Sequence, residues 1–245
     1  EIKIWKNKLN AEVLPFGSLR LKKNVALSSL AGFKEGKWWV QGVASSIPVK
    51  LLNDISGSKV LDVFSAPGGK TMQLISAGAR VTCLDISPTR LDLLRKNLHR
   101  TGMNAEIIST DFRQFKTREK YDVVILDAPC SSTGTIVKNK ELSYLFNTKS
   151  LHDLIEIQKE SLMLAKDWVN DEGIILYCTC SLLPSEGEDQ IANFLSDNPD
   201  WKQKKISLES YDIKDQCTDD FGNVRLRPDF LYNVGGMDGF FASIL

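Results

Sequence analysis

Short runs of almost wholly apolar residues recur along the chain from residue 60 onward, and amphipathic stretches separate them. The runs cover residues 60–64, 81–84, 123–126 and 174–177. Strands that are covered on both faces have this continuous apolar character, and helices connect them. The pattern therefore predicts an α/β fold, in which a mostly parallel sheet carries helices on both faces.

Capping residues predict where the helices between these runs begin and end. Ser87 and Pro88 suit the first turn of one helix, and Gly102 suits its end. Two further serine–acid pairs have the spacing of capping boxes and predict two more helix starts: Ser150 with Asp153, and Ser185 with Glu188.

The first 55 residues lack this alternation and contain an aromatic segment with two glycines at residues 32–40. The 245 residues are enough for one substantial core with a small appended lobe. We therefore predict a small N-terminal lobe over residues 1–55 and a larger α/β domain over residues 56–245.

The composition indicates the cell compartment and the class of partner. No apolar run approaches the ~20 residues that cross a bilayer, and no leader resembles a signal peptide, so we expect a cytoplasmic protein without a membrane partner. Five cysteines are an odd number, which favours reduced thiols over a disulfide framework. The 31 basic residues equal the 31 acidic ones, and a net charge of zero is unusual for a protein that binds nucleic acid. We expect a monomer.

A turn that contains two glycines follows the first predicted strand and opens a helix. Gly68 and Gly69 let the backbone approach a ligand, and the helix N-terminus favours a carboxylate or a phosphate. Asp85 closes the next strand, where an acid can accept hydrogen bonds from ribose hydroxyls, and Asp111 could serve the adenine end. S-adenosylmethionine has all of these parts. The alternative is that both acids only cap helices or turns.

Two cysteine motifs follow the third and fourth predicted strands, Asp127-Ala-Pro-Cys130 and Thr-Cys180. A thiolate can add to an electron-poor ring carbon, and a second thiol nearby could help to expel it. The site must lower the pKa of such a thiol, and Lys70 is a candidate for this. Asp127 could hydrogen-bond to the ring, either as an acid or as a carboxylate. We interpret Cys178 as structural, because its side chain should point away from those of its strand neighbours.

The two cysteine motifs together resemble those of the RNA cytosine-5 methyltransferases of the Sun/Nop group. The resemblance rests on residues 127–134 and 177–184 and covers most of the chain, from residue 36 to residue 241. It implies a Rossmann-like, seven-stranded methyltransferase fold and methyl transfer from S-adenosyl-L-methionine to carbon 5 of a cytosine in RNA. Ribosomal RNA of the small subunit is the expected substrate. Cys180 is then the nucleophile, and Cys130 assists product release.

The resemblance also assigns the site residues. The catalytic positions are Cys180, Cys130, Asp127 and Lys70. The cofactor-binding positions are Phe64, Ser65, Ala66, Pro67, Gly68, Gly69, Lys70, Asp85, Arg90, Asp111 and Asp127. No metal is implied.

The chain departs from the family pattern at two places that face RNA. Gln41-Gly42 stands where a Gln-Asp pair is usual, and Val137-Lys138 stands where an Arg-Arg pair is usual. The N-terminal helical RNA-binding domain of the bacterial enzymes is also absent from this sequence. We therefore expect weak RNA binding, with the cofactor site unaffected.

Three other interpretations compete with this one. In DNA cytosine-5 methyltransferases the Pro-Cys thiol is the nucleophile, but the acidic segment that follows there is missing and a second thiol would be unexplained. A zinc site could use Cys130, Cys178 and Cys180, but the spacing has no Cys-x2-Cys, and neither His99 nor His152 has a partner motif. A scaffold with a decayed site is the third alternative, and the presence of both thiols argues against it.

Overall fold

The computed structural model describes residues 1–22, 25–52, 54–145, 147–206, 208 and 217–245. The N-terminal part begins with a short helix and a two-stranded antiparallel sheet, and a second helix follows. These elements are α1 (Ile2–Lys8), β1 (Ala11–Val13), β2 (Leu19–Leu21) and α2 (Val43–Leu51).

The rest of the chain builds a seven-stranded sheet. Its strands are β3 (Lys59–Val63), β4 (Arg80–Asp85), β5 (Glu106–Ser109), β6 (Tyr121–Asp127), β7 (Val169–Thr179), β8 (Val224–Leu226) and β9 (Phe240–Ile244). They lie in the order β5-β4-β3-β6-β7-β9-β8. In this order the first five strands, β5, β4, β3, β6 and β7, are parallel to one another. Strand β9 runs antiparallel to both of its neighbours, β7 and β8. The predicted seven-stranded, mostly parallel sheet is confirmed.

Helices cover both faces of this sheet, as the apolar runs predict. They are α3 (Gly69–Ser76), α4 (Pro88–Thr101), α6 (Thr148–Trp168) and α7 (Glu188–Asp197). A short helix, α5 (Leu142–Leu145), precedes α6. Leu74 of α3 and Leu94 of α4 belong to one buried cluster, and Leu162 of α6 and Ile191 of α7 belong to the other. Because apolar side chains leave water on both faces, the hydrophobic effect holds the sheet from two sides. Within the described ranges, no helix combines the length and apolar character that a bilayer crossing requires.

The N-terminal elements pack onto the first of these two clusters. Phe16 and Ile47 are buried in it together with side chains of α3 and α4. Arg100 of α4 donates hydrogen bonds to the carbonyls of Phe33 (2.8 Å) and Trp38 (3.0 Å), and these contacts fix the aromatic segment to the sheet-bearing part. The division at residue 55 stays a prediction.

The strand order reverses at β3, since β4 pairs with it on one side and β6 on the other. In open parallel sheets, ligands bind at such a reversal, just outside the carboxyl ends of the strands. The segments that follow β3, β4, β6 and β7 meet at this edge, and they carry the predicted site residues.

Candidate active site

The turn after β3 has the backbone that the two glycines predict. Gly68 has a φ of +102° and lies directly before α3, and a Cβ added there would lie 3.2 Å from Cγ of Leu94. Glycine is therefore required both by the positive φ and by the close packing of α4. Phe64 also has a positive φ, +62°, and its ring packs edge-on against Phe112 with centroids 5.3 Å apart. This contact brings the turn after β3 next to the turn after β5.

Asp85 and Arg90 hold this turn in place. The Asp85 carboxylate, 3% exposed, accepts hydrogen bonds from the backbone N–H groups of Ala66 (3.2 Å) and Ser87 (2.9 Å). The Arg90 guanidinium lies 3.5 Å from the same carboxylate and donates to the carbonyl of Ala66. Asp85 thus has a structural role, and its carboxylate retains lone pairs for a ligand. Its assignment to a ribose stays a prediction.

Asp111 lies two residues after β5. It accepts a hydrogen bond from the backbone N–H of Arg113 at 2.9 Å, and the Arg113 guanidinium lies 3.7 Å away. These contacts are those of a turn acid. The position at the carboxyl edge of the sheet is also the one that the cofactor assignment requires, so that assignment too stays a prediction.

Lys70 and Asp127 form a buried ion pair between the first turn of α3 and the end of β6. The Lys70 side chain is only 5% exposed, and its Nζ lies 2.8 Å from Oδ2 of Asp127 and 5.0 Å from the centre of the Phe240 ring. Burial is the largest single effect and lowers the pKa of Lys70, but the charge and hydrogen bond of Asp127, with Cys178 and Asp62, together outweigh it, so the net pKa is raised. Lys70 is therefore an ammonium at the centre of the site.

The two predicted thiols are in direct contact. Sγ of Cys130 and Sγ of Cys180 lie 3.4 Å apart, although 50 residues separate them in the sequence. The hydrogen bond from Cys130 lowers the pKa of Cys180, against the opposing effect of burial, and Ser132 and Lys70 lower it further. The same hydrogen bond, followed by burial, raises the pKa of Cys130 well above its usual value. Cys180 is therefore the more acidic thiol of the pair, and Cys130 is the one that keeps its proton.

Cys178 lies in β7, two residues before Cys180. Its Sγ is fully buried, 3.7 Å from Oδ1 of Asp127, and burial raises its pKa well above the usual value. Tyr177 belongs to the buried cluster on the opposite face of the sheet from Cys178. The interpretation of Cys178 as a structural residue agrees with this geometry, and the contact with Asp127 is an addition to it.

Comparison with known proteins identifies the family. Residues 49–245 match the family model described as "16S rRNA methyltransferase RsmB/F". The chain belongs to this RsmB/F family. The ribosomal RNA small subunit methyltransferase B of Citrobacter koseri is 36% identical over 188 residues, which are 75% of this chain and 44% of the relative. The enzyme of the same description from Pasteurella multocida is 33% identical over 238 residues, or 93% of this chain and 51% of the relative. The chain thus spans about half the length of the curated relatives that it matches.

Solved structures show the same fold. The crystal structure of PH0851 matches with a TM-score of 0.87 and 28% identity, and the match covers 100% of this chain and 56% of the other. NSun6 from Pyrococcus horikoshii, determined with SFG, matches with a TM-score of 0.76 and 23% identity, over 93% of this chain and 58% of that one. The predicted Sun/Nop resemblance, the methyltransferase fold class and S-adenosylmethionine as the cofactor of this class are confirmed.

In this RsmB/F chain, one residue that the sequence analysis did not single out joins the two thiol segments. Glu186 is fully buried, and its carboxylate accepts hydrogen bonds from the backbone N–H (2.8 Å) and the hydroxyl of Ser131, next to Cys130. Its carbonyl accepts from the hydroxyls of Tyr177 (2.9 Å) and Thr179 (3.1 Å), on the strand that leads to Cys180. A buried carboxylate must be fully paired, so Glu186 fixes the position of one thiol segment relative to the other.

A second missed residue lies beneath the Lys70–Asp127 pair. Asp62 of β3 is fully buried and accepts a hydrogen bond from the Thr71 hydroxyl at 2.6 Å, while its Oδ1 has no partner within the described residues. Burial raises the pKa of Asp62 to about 7. The only sequence signal was an acid inside an apolar run, and such a residue is expected on a loop or a surface.

Gly134 explains why a glycine ends the first cysteine motif. Its N–H donates to the carbonyl of Cys180 (3.0 Å), and its own carbonyl accepts from the N–H of Gly239 (2.8 Å). A Cβ at Gly134 would lie 2.2 Å from the Gly239 oxygen and 2.8 Å from the Cys180 oxygen. Three backbone segments thus approach as closely as only glycine permits.

The two departures from the family pattern lie near each other. Lys138 forms an ion pair with Asp238 (2.8 Å), and a Cβ on Gly42 would lie 3.3 Å from the same Asp238 carboxylate. Val137 is exposed. Gln41 faces inward and bonds to the Gln73 side chain at 3.0 Å. Within the described part of the chain, no group of three or more His, Cys, Asp or Glu side chains is arranged to hold a metal.

Proposed function

We propose that this chain transfers a methyl group to carbon 5 of a cytosine in RNA, through a covalent adduct on Cys180 that is released with the help of Cys130. The observation that carries this proposal is the 3.4 Å contact between the two thiols, beside a buried ammonium at the carboxyl edge of the sheet. Addition to the base requires only one thiol. A second thiol in contact with the first is explained by a step in which the first must leave.

The residues at this edge fit S-adenosylmethionine. The positive φ of Gly68 and the first turn of α3 leave backbone N–H groups free to bind a carboxylate. Asp85 ends β4 and Asp111 lies two residues after the end of β5, where the ribose and adenine would lie. When bound, the cofactor supplies the electrophilic methyl group that carbon 5 takes up.

Cys180 begins the reaction as a thiolate. It adds to carbon 6 of the cytosine, and the electron pair of the former double bond makes carbon 5 a nucleophile. Asp127 lies at the mouth of the site with 37% of its side chain exposed, held by Lys70 at one oxygen and close to Cys178 at the other. It is thus positioned to hydrogen-bond to the base.

Cys130 acts when the product leaves. After a base has removed the proton from carbon 5, the bond between Cys180 and carbon 6 breaks and returns a thiolate. Because the raised pKa of Cys130 keeps it protonated, it can donate a hydrogen bond to that departing sulfur at a distance of 3.4 Å. Hydrogen bonds to an ionised acceptor are the stronger kind, so this contact favours release.

The relatives support ribosomal RNA of the small subunit as the substrate, since the curated ones carry that description. A cytoplasmic location and a monomeric state stay predictions. The weak RNA binding that we expect from the altered residues at positions 42 and 137 also stays a prediction.

The test uses labelled S-adenosylmethionine with RNA and with DNA of matched sequence. We expect label in RNA alone, at carbon 5 of cytosine. Cys180→Ala should abolish transfer, and Cys130→Ala should accumulate a covalent protein–RNA adduct on denaturing gels. Cys217→Ala, which changes a buried thiol of the apolar core, is the matched control and should behave as the wild type. An adduct with the Cys180 variant and none with the Cys130 variant would reverse the two roles.

A further inference from the structure

Ser132 has a backbone conformation that residues with a Cβ rarely adopt. Its φ is +57° and its ψ is +21°, in the left-handed region. Two contacts from Thr135 hold this conformation, because the Thr135 N–H and hydroxyl both donate to the Ser132 carbonyl at 2.9 Å. Such conformations persist where the surrounding structure fixes them, and they are common at active sites.

This conformation directs the Ser132 hydroxyl toward both thiol segments. Its Oγ lies 3.4 Å from Sγ of Cys180, the same distance that separates the two thiols, and 3.4 Å from the carbonyl oxygen of Cys130. A hydroxyl has one proton and two lone pairs. It can therefore accept from a Cys180 thiol while donating to the carbonyl, or rotate and donate to a Cys180 thiolate.

We propose that Ser132 is a catalytic residue whose hydroxyl donates a hydrogen bond to the Cys180 thiolate, both before addition to the base and when the sulfur leaves. The inference rests on the proposed function, which makes Cys180 Sγ the reacting atom. It adds a second donor to the one that Cys130 provides. The role differs from that of Glu186, which touches neither sulfur and positions the two thiol segments relative to each other.

The other groups that face the Cys180 sulfur are Cys130, Asp127 and Lys70. Cys130 and Lys70 favour the thiolate and Asp127 opposes it. Lys70 is already paired with Asp127 at 2.8 Å, which offsets much of its effect on the sulfur. Removal of the Ser132 hydroxyl should therefore leave Cys130 as the single direct donor, and the change should be measurable.

The experiment compares the wild type with Ser132→Ala and Ser132→Gly. Both variants lose the hydroxyl, but Ala keeps the Cβ at positive φ and Gly removes it. An effect of the hydroxyl should therefore appear equally in both variants, whereas an effect of the backbone conformation should differ between them. Iodoacetamide modification of Cys180 is followed from pH 5 to 10 without RNA, with the modified peptide quantified by mass spectrometry. We expect the midpoint to rise by about one pH unit in both variants, or about tenfold less thiolate at pH 7.

Methyl transfer to RNA is measured on the same proteins. We expect kcat at pH 7 to fall about tenfold in both variants, with KM for RNA unchanged and with recovery at pH 9. An unchanged alkylation midpoint in both variants, or a change in only one of them, would overturn the inference while leaving the proposed function intact. If the wild type methylates no RNA, the proposed function and the catalytic role of Ser132 are both refuted. A raised alkylation midpoint in the two variants would then support only the hydrogen bond between Ser132 and Cys180.

Discussion

Replacement of Asp127 by Asn should destabilise the fold far more than the exposure of Asp127 suggests. The reason is its partner: the Lys70 ammonium is 5% exposed and would stay buried without a counter-charge. Breaking a buried ion pair by removal of one member costs about 3–5 kcal/mol, and an exposed pair contributes about 0–1 kcal/mol. Because 37% of the Asp127 side chain is exposed, water can partly replace it, so we expect a loss of about 2 kcal/mol.

The opposite replacement should be milder. In Lys70→Met the buried charge is gone, a side chain of similar length fills the space, and the remaining carboxylate can be hydrated. We expect a loss of about 1 kcal/mol. In the double variant neither charge remains, so its loss should be close to that of Lys70→Met alone, and the coupling between the two sites should be about 2 kcal/mol.

Urea unfolding of the four proteins measures this coupling at neutral pH. Lys138 and Asp238 provide a matched control, because their ion pair has the same 2.8 Å separation but Lys138 is 62% exposed. The same cycle with Lys138→Met and Asp238→Asn should give a coupling below about 1 kcal/mol. If the two losses at Lys70 and Asp127 simply add, or if both cycles give equal couplings, burial of the ammonium is not what makes the pair important.

Three further predictions concern single residues around the site. Burial raises the pKa of Asp62 to about 7, above an unfolded value of about 4, so between these pH values the folded state holds the extra proton and stability falls as pH rises. Asp62→Asn should therefore gain stability relative to the wild type from pH 4 to pH 7 in urea unfolding, and a constant difference would contradict this. Gly134→Ala should lose about 1–3 kcal/mol by overpacking and should slow adduct formation, since its Cβ would press on the Cys180 carbonyl; unchanged unfolding midpoints and adduct rates would refute that. Asp85→Ala should weaken S-adenosylmethionine binding on the order of tenfold to a hundredfold in calorimetry without RNA, and unchanged affinity would place the ribose elsewhere.

Local signals predicted the elements that local interactions determine. Helix α4 begins and ends as predicted: the Ser87 side chain accepts a hydrogen bond from the N–H of Arg90, and Gly102 ends the helix in the left-handed conformation with a φ of +67°. Each of these features involves residues within one turn of each other, so the sequence contains the whole interaction.

The capping boxes show where local signals fail. The prediction from Ser150 was wrong, because α6 begins at Thr148 and the Asn147 side chain is its cap, accepting from the N–H of Ser150 at 2.8 Å. The prediction from Ser185 was also wrong: α7 has no side-chain cap, and Glu188 pairs with Arg225 instead. Several polar residues within one turn can satisfy the capping-box pattern, so the pattern does not identify which of them caps the helix. An arginine that is distant in sequence can also pair with the acid, which then no longer caps the helix.

The thiol pair illustrates how the fold supplies what the cysteine motifs alone do not. The motifs identify two sulfurs at the ends of two neighbouring strands, and the pairing of Asp127 with Cys178 in the register of β6 and β7 brings both strand ends to one level. Strand pairing by itself leaves the loop at Cys130 free to move. Glu186 and the hydrogen bond from Gly134 to the Cys180 carbonyl restrict that freedom. The Glu186 carboxylate accepts a hydrogen bond from Ser131 of the loop, and its carbonyl accepts one from Thr179 of the strand.

A contact of 3.4 Å between two sulfurs is therefore supported in part by a buried acid that touches neither of them. An acid in the chain segment after β7 gives no sequence signal for this role, since its partners lie both seven and 55 residues away. The same arrangement explains the difference in acidity between the thiols. A fixed short contact lets one sulfur donate to the other, and whichever sulfur has additional donors then becomes the thiolate. Cys180 has the Ser132 hydroxyl in addition to Cys130, so under the proposed mechanism the geometry of one loop would select which cysteine attacks and which one assists release.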